Sequence, residues 1–139
     1  NAEDPQADFM PEGGKTVSGY RSPGGYGVRL DGFVYQGYTI PQVYDSLLVK
    51  LTVHGFSWNE TVSRLRRCLQ NFDIAGPKTT IPFYLNIVDD PDFIKGDFNT
   101  SFLDTHPQLF EYKETANEAE KLSKLIAEIH HRGINPYAF

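Results

Sequence analysis

The hydrophobic pattern of this 139-residue sequence changes its period once, between residues 53 and 62. Before this point, short runs rich in β-branched and aromatic residues are separated by glycine and proline, and residues 46–53 form the strongest strand candidate. After it, the apolar residues of 62–72 recur at the spacing of one helix face. Strands first and helices later predict an α+β domain.

The glycine- and proline-rich segments of the first half set the expected strand connections. Residues 16–20 alternate apolar and polar, and the loop at 23–25 then turns the chain into residues 28–30. This pattern predicts a hairpin with a wide, glycine-built loop. Residues 33–35 and 38–40 are two further β-prone pieces. At such short spacings we expect an antiparallel meander of short strands packed against the helices.

Two helices are expected directly after the strands. Ser57 and Glu60 can form a capping box at the start of the first, which covers about three to four turns. Thr79 or Thr80 can cap the second, with proline in its first turn and an end near residue 88.

The last predicted element is an amphipathic helix over residues 115–132. Its apolar stripe consists of Ala119, Leu122, Leu125, Ile126 and Ile129. Gly133 follows as a stop, and basic residues lie in the last turn, where they complement the helix dipole. We therefore expect one domain, with residues 1–112 as its main body and residues 113–139 as a C-terminal helical extension.

Charge and cysteine content exclude several function classes. The formal net charge is −5 and the basic residues are dispersed, which argues against a nucleic-acid partner. The single cysteine, Cys68, permits no disulfide within the chain and is expected to be a small core residue. There is no long apolar stretch and no apolar leader, so we expect no membrane partner and a cytoplasmic location, or the mitochondrial matrix in a eukaryote.

The glycine loop at residues 23–27 has two possible interpretations. Its three glycines free backbone N–H groups that can cradle a phosphate. However, the loop lacks the spacing of known phosphate-binding motifs and does not open a predicted helix, so a shaped loop presenting Tyr26 and Arg29 is favoured. His130 and His131 are adjacent and lie on different helix faces, so we expect no metal site there.

Three motifs taken together resemble one known family. They are YRSPGGYGVRLD at residues 20–31, GYTIP at 37–41 and YDSLLVKL at 44–51. In this combination the chain resembles the C-terminal domain of biotin carboxylases, which completes an ATP-grasp active site and carries much of the subunit interface. The resemblance runs from residue 1 to about Tyr112. Residues 76–83, 102–104 and 107–110 look more like pyruvate carboxylase than acetyl-CoA carboxylase.

The resemblance implies roles for three residues. Tyr26 and Arg29 match family residues at the dimer interface, where aromatic and arginine side chains are common anchors. Asp45 matches an aspartate that pairs with an arginine of the N-terminal domain and fixes the two domains near the active site. Residues 1–5 match the segment that follows the family's catalytic arginine, so no catalytic residue and no metal ligand is expected within the chain.

For the parent enzyme, the resemblance implies a ligase reaction, the ATP-dependent carboxylation of biotin by bicarbonate. The implied cofactors are ATP, Mg²⁺ and biotin, with positioned cations stabilising the charge that develops. The implied partners are the upstream ATP-grasp part, a biotin carboxyl carrier domain or protein, and a second copy of the enzyme. The isolated chain is expected to be inactive. The alternative is a non-catalytic interaction or dimerisation module that docks a protein through its aromatic hairpin and terminal helix.

Overall fold

In the computed structural model, residues 1–111 are described, and they combine helices with small antiparallel sheets. The strands are β1 (Glu3–Asp4), β2 (Met10–Pro11), β3 (Gly19–Arg21), β4 (Val28–Gly32), β5 (Val49–Val53) and β6 (Asp73–Ala75). The helices are α1 (Trp58–Asn71), α2 (Ile81–Asp89), α3 (Pro91–Lys95) and α4 (Phe102–Thr105), with 3-10 turns at Pro5–Ala7 and Pro107–Phe110. None of these helices is both long enough and apolar enough to cross a bilayer. The helix expected over residues 115–132, with His130 and His131, lies outside the described residues.

The strands form three antiparallel pairs: β1 with β2, β3 with β6, and β4 with β5. The α+β class is therefore confirmed, but the hairpin predicted between residues 16–20 and 28–30 is wrong. Tyr20 lies opposite Ile74, and Leu30 lies opposite Leu51. The distant partners also bring apolar side chains together. The Tyr20 ring, for example, packs edge-on against Phe72 at the end of α1, with 5.9 Å between centroids.

The N-terminal residues are part of the first hydrophobic core. Ala2 is fully buried with Val17, Ile40 and Leu48. Its N–H donates to the carbonyl of Ser46 at 2.8 Å, and its carbonyl accepts from the N–H of Glu12 at 2.9 Å. The chain before β3 is therefore anchored to the loop that precedes β5.

An ion-pair network fastens the same N-terminal segment to the loop before α2. The Asp4 carboxylate, buried at 8% exposure, accepts from the Gln6 N–H at 3.0 Å and from the Lys78 ammonium. The Lys78 N–H donates to Glu12, which also pairs with Lys15 at 2.9 Å. The bond from Lys78 is the main reason that the pKa of Asp4 is lowered, and the bond from Lys15 is the main reason for the lowered pKa of Glu12.

Acid is expected to destabilise the domain through Asp4 and Glu12. Because both pKa values are lower in the folded chain, their contribution to stability is present above their unfolded values, about 4, and is lost as the pH falls through the folded ones. Urea unfolding between pH 7 and pH 3 measures this loss. Lys78→Met should lower stability at pH 7 and flatten the acid dependence, whereas Lys50→Met, at an exposed lysine of β5, should leave the dependence unchanged. Equal acid slopes in the two variants would contradict this prediction.

Helix α1 starts with a modified capping box. The Ser57 hydroxyl accepts from the Glu60 N–H at 3.2 Å, as predicted. The Glu60 carboxylate returns to the N–H of Phe56, at 2.8 Å, instead of Ser57. This bond and the pairing with Arg64 lower the pKa of Glu60. The inner face of the helix carries Cys68, which is fully buried, so its predicted place in the core is confirmed.

A second core joins the later helices. Phe83 of α2, Phe102 of α4 and Leu109 form its buried centre, and Phe9 from the N-terminal segment packs against Phe83 at 5.1 Å between centroids. Asn86 of α2 also holds the last described residues, because its side-chain amide donates to the carbonyls of Leu109 and Glu111. The predicted α2 is confirmed, although the Thr80 side chain does not cap it.

Candidate functional site

The loop between β3 and β4 places Tyr26 at the surface. Its conformation depends on Gly27, where any side chain would clash with the backbone. Gly27 has a φ of 69°, in the left-handed region, and a Cβ there would lie 2.4 Å from the carbonyl oxygen of His54. This close approach seats the loop against the residue that follows β5. The predicted shaped loop is therefore present, with the Tyr26 side chain directed to solvent at 72% exposure.

The Tyr26 ring belongs to an exposed aromatic platform, formed by Tyr26, Phe56 and Arg64. The two rings stack with 6.5 Å between centroids and 28° between planes, and Phe56 is 81% exposed. The Arg64 guanidinium lies 5.7 Å from the Tyr26 centroid, within the range of a cation–π contact. Glu60 at 2.6 Å and the His54 carbonyl hold that guanidinium in place. Exposed stacked rings with a fixed cation are typical of a protein-binding surface.

Sequence reasoning missed Phe56 and Arg64 as members of this surface. They lie in the loop before α1 and on α1, about 30 and 40 residues after Tyr26. No local pattern connects them to the glycine loop. Only the pairing of β4 with β5 brings the two segments together.

Arg29 lies on the solvent side of the β4–β5 ribbon. Strand alternation turns Val28 and Leu30 inward and leaves Arg29 outward, opposite Thr52. Its Nε lies 2.8 Å from Asp31 Oδ2, and 70% of the side chain stays exposed. The guanidinium therefore keeps donors available for a partner, and the dimer-interface role of Tyr26 and Arg29 stays a prediction.

Asp45 is held in a fixed and exposed position in the loop before β5. Its Oδ1 accepts from the Leu47 N–H at 2.7 Å, and Oδ2 accepts no hydrogen bond from residues 1–111. The next residue, Ser46, is buried and donates to Glu3. Val43 and Tyr44 beside it are 84% and 78% exposed. A positioned carboxylate in an exposed apolar loop is suited to receive an arginine across an interface, and this role also stays a prediction.

A cavity of about 330 Å³ lies between β5, α1 and α2. Leucine, valine, isoleucine and aromatic side chains make up most of its wall, and Lys50 has the one charged side chain among the described residues that line it. A wall of this composition binds apolar groups and provides no acid–base pair.

Comparison with known proteins places the chain in a family. The model of the biotin carboxylase C-terminal domain matches residues 1–105. Pyruvate carboxylase of Bacillus subtilis is 44% identical over 128 residues, which are 91% of this chain and 11% of that protein. The 2-oxoglutarate carboxylase small subunit of Hydrogenobacter thermophilus is 41% identical over 133 residues, which are 94% of this chain and 28% of that protein.

A solved structure has the same fold. It is the biotin carboxylase domain dimer of the Hydrogenobacter thermophilus 2-oxoglutarate carboxylase, in complex with MgADP, ADP and bicarbonate. Its TM-score is 0.77 at 44% identity, covering 82% of this chain and 25% of that one. The chain thus spans a minor part of its relatives, and the resemblance stated from its motifs is confirmed. The chain belongs to the family of biotin carboxylase C-terminal domains.

Proposed function

We propose that this chain is the C-terminal domain of an ATP-dependent biotin carboxylase in a pyruvate-carboxylase-type enzyme. In this role it completes the active site and forms the dimer interface for the carboxylation of biotin by bicarbonate. The observation that carries the proposal is Asp45, whose carboxylate is fixed by Leu47 yet keeps one oxygen without a partner among residues 1–111. An arginine of the upstream part would complete this pair.

ATP, Mg²⁺ and biotin are the proposed cofactors of the whole enzyme. The described residues do not fit a nucleotide site, because the cavity between β5, α1 and α2 is mainly apolar and the loop at residues 23–27 opens onto a strand. We therefore assign nucleotide binding and every catalytic group to the upstream ATP-grasp part. The domain itself walls the site and orients the upstream part through Asp45, and alone it is inactive.

The proposed partners are a second copy of the enzyme and a biotin carboxyl carrier domain or protein. For the second copy, the support is the aromatic platform together with Arg29, a combination of rings and guanidinium groups that suits an interface anchor. The solved Hydrogenobacter domain is itself a dimer.

A domain exchange tests the proposal. Residues 1–105 of this chain would replace the matching segment in the small subunit of the Hydrogenobacter 2-oxoglutarate carboxylase. Bicarbonate-dependent ATP cleavage, measured with free biotin, is expected to stay within about tenfold of the unmodified subunit, a barrier difference of about 1.4 kcal/mol. The 139-residue chain alone should give no cleavage.

A non-catalytic interaction module is the competing function. The exposed rings of Phe33, Tyr35 and Tyr44 favour it, because such side chains bind proteins without any chemistry. A chimera that folds, dimerises and yet cleaves no ATP would contradict the enzyme proposal and favour the module. Cleavage by the isolated chain would contradict the assignment of the chemistry to the upstream part.

A further inference from the structure

Three side chains of types that can bind a metal ion lie close together beside the second core. The proposed function gives them no common role. Asp90 and Asp92 lie at the start of α3, and His106 follows α4. One ligand atom from each lies within 4.8 Å of the other two. The cluster therefore joins the start of α3 to the end of α4. Asp92 and His106, its nearest members from the two helices, are 14 residues apart in the chain.

The imidazole of His106 has the orientation that metal ligation requires. Its Nδ1 lies 2.8 Å from the carbonyl oxygen of Phe102, which can only accept, so Nδ1–H donates and the neutral ring carries its lone pair on Nε2. The ring is also packed against Phe102, with 4.3 Å between centroids. Metal-binding histidines commonly anchor their other nitrogen on a backbone carbonyl in this way.

The Nε2 atom faces a carboxylate, and either a proton or a metal ion can lie between the two groups. Nε2 lies 3.3 Å from Asp92 Oδ2, longer than the 2.7–2.9 Å typical of a charge-assisted N–H···O bond. Ligands about 2.0 Å from a tetrahedral metal are about 3.3 Å apart, which matches this distance. The contact between two acceptors is repulsive unless a proton or a metal ion lies between them.

Asp90 provides an independent indication of a missing ligand. The residue is 8% exposed, and its Oδ1 caps α3 by accepting from the N–H groups of Asp92 at 2.9 Å and Phe93 at 3.3 Å. Its Oδ2 accepts no hydrogen bond from residues 1–111. A buried carboxylate oxygen without a partner costs free energy that a bound cation would offset.

We propose that Asp90, Asp92 and His106 bind one transition-metal ion, with Zn²⁺ the best match and a water molecule in the fourth position. A mixed set of imidazole and carboxylate ligands suits Zn²⁺, whereas Ca²⁺ and Mg²⁺ take oxygen ligands alone. The ion ties the start of α3 to the end of α4. This site is independent of the carboxylase function proposed above.

Titration of the metal-free 139-residue chain with ZnCl₂ tests the site by calorimetry, with Co²⁺ absorption reporting tetrahedral coordination. His130 and His131 are replaced by alanine in every sample, so that they supply no metal ligand. We expect one Zn²⁺ per chain and a thermal midpoint that rises with Zn²⁺. His106→Gln and Asp92→Asn should each weaken Zn²⁺ binding by at least about tenfold. Loss of a residue that only orients a metal ligand already lowers metal affinity by about this factor, and loss of the ligand itself should cost no less. The matched control His54→Gln, at an exposed histidine outside the cluster, should bind as the parent does.

Two results would overturn the proposal. One is the absence of stoichiometric binding, which would leave a proton as the only cation between His106 and the carboxylates. The other is Zn²⁺ binding of parental affinity in both cluster variants. Asp92→Asn keeps the shape of the side chain and serves if His106→Gln does not fold, as judged by far-UV circular dichroism.

Discussion

Asp45→Arg in the assembled biotin carboxylase is expected to lower bicarbonate-dependent ATP cleavage by about 100-fold, the size of effect that a small misplacement of catalytic groups produces. The substitution puts a cation where the upstream arginine is proposed to bind, so the pair becomes repulsive and the two domains separate near the active site. Because Asp45 is exposed in this chain, the stability of the domain itself should change little.

Two matched variants separate the lost charge from lost local structure. Asp45→Asn keeps an oxygen that can accept from the Leu47 N–H, so the turn is preserved while the charge is removed, and activity should fall less than in Asp45→Arg. Asp104→Arg makes the same change of charge at an exposed aspartate of α4 and should retain activity. Full activity of a folded Asp45→Arg enzyme would refute the interdomain pair.

Arg29→Glu is expected to weaken self-association of the assembled enzyme by about 30-fold, the loss that corresponds to a hot-spot residue worth about 2 kcal/mol. The new carboxylate would lie beside Asp31, which now pairs with Arg29 at 2.8 Å, and would face the partner with the opposite charge. Tyr26→Ala removes one of the two stacked rings and should have an effect of similar size. Sedimentation velocity over a dilution series measures the dissociation constant.

Arg21→Glu is the control for this experiment. Arg21 is also an exposed strand arginine near an aspartate, Asp73 at 3.9 Å, but it lies on β3, away from the β4–β5 pair. We expect it to dimerise as the parent does. Parental dimerisation of both Arg29→Glu and Tyr26→Ala would remove this surface from the interface, whereas equal weakening by Arg21→Glu would point to a general effect of charge.

The sequence predicts features whose cause is local and misses those that depend on distant segments. Helix α1 follows from the spacing of its apolar residues and from Ser57, and Cys68 is buried as that spacing requires. The predicted hairpin does not form, because β3 and β4 each pair with a strand that lies further along the chain. The end of α2 is predicted near residue 88, and the helix ends at Asp89, after which Asp90 caps α3.

The candidate sites divide in the same way. Motifs identify Tyr26, Arg29 and Asp45, since each lies in a contiguous run of residues that resembles the family. The stacking of Phe56 on Tyr26 and the contact of His106 with Asp92 depend on tertiary packing between separate loops and helices. Such contacts leave no periodic or motif signal in one sequence.

The pairing of β3 with β6 sets an order for folding during synthesis. About fifty residues separate the two strands, so at roughly 5–20 residues/s the ribosome needs roughly 3–10 s to deliver the partner of β3. The N-terminal segment likewise cannot form its ion pair until Lys78 has been synthesised. During this interval the nascent chain has an open strand edge, and the three-residue length of β3 limits the mispairing that such an edge invites.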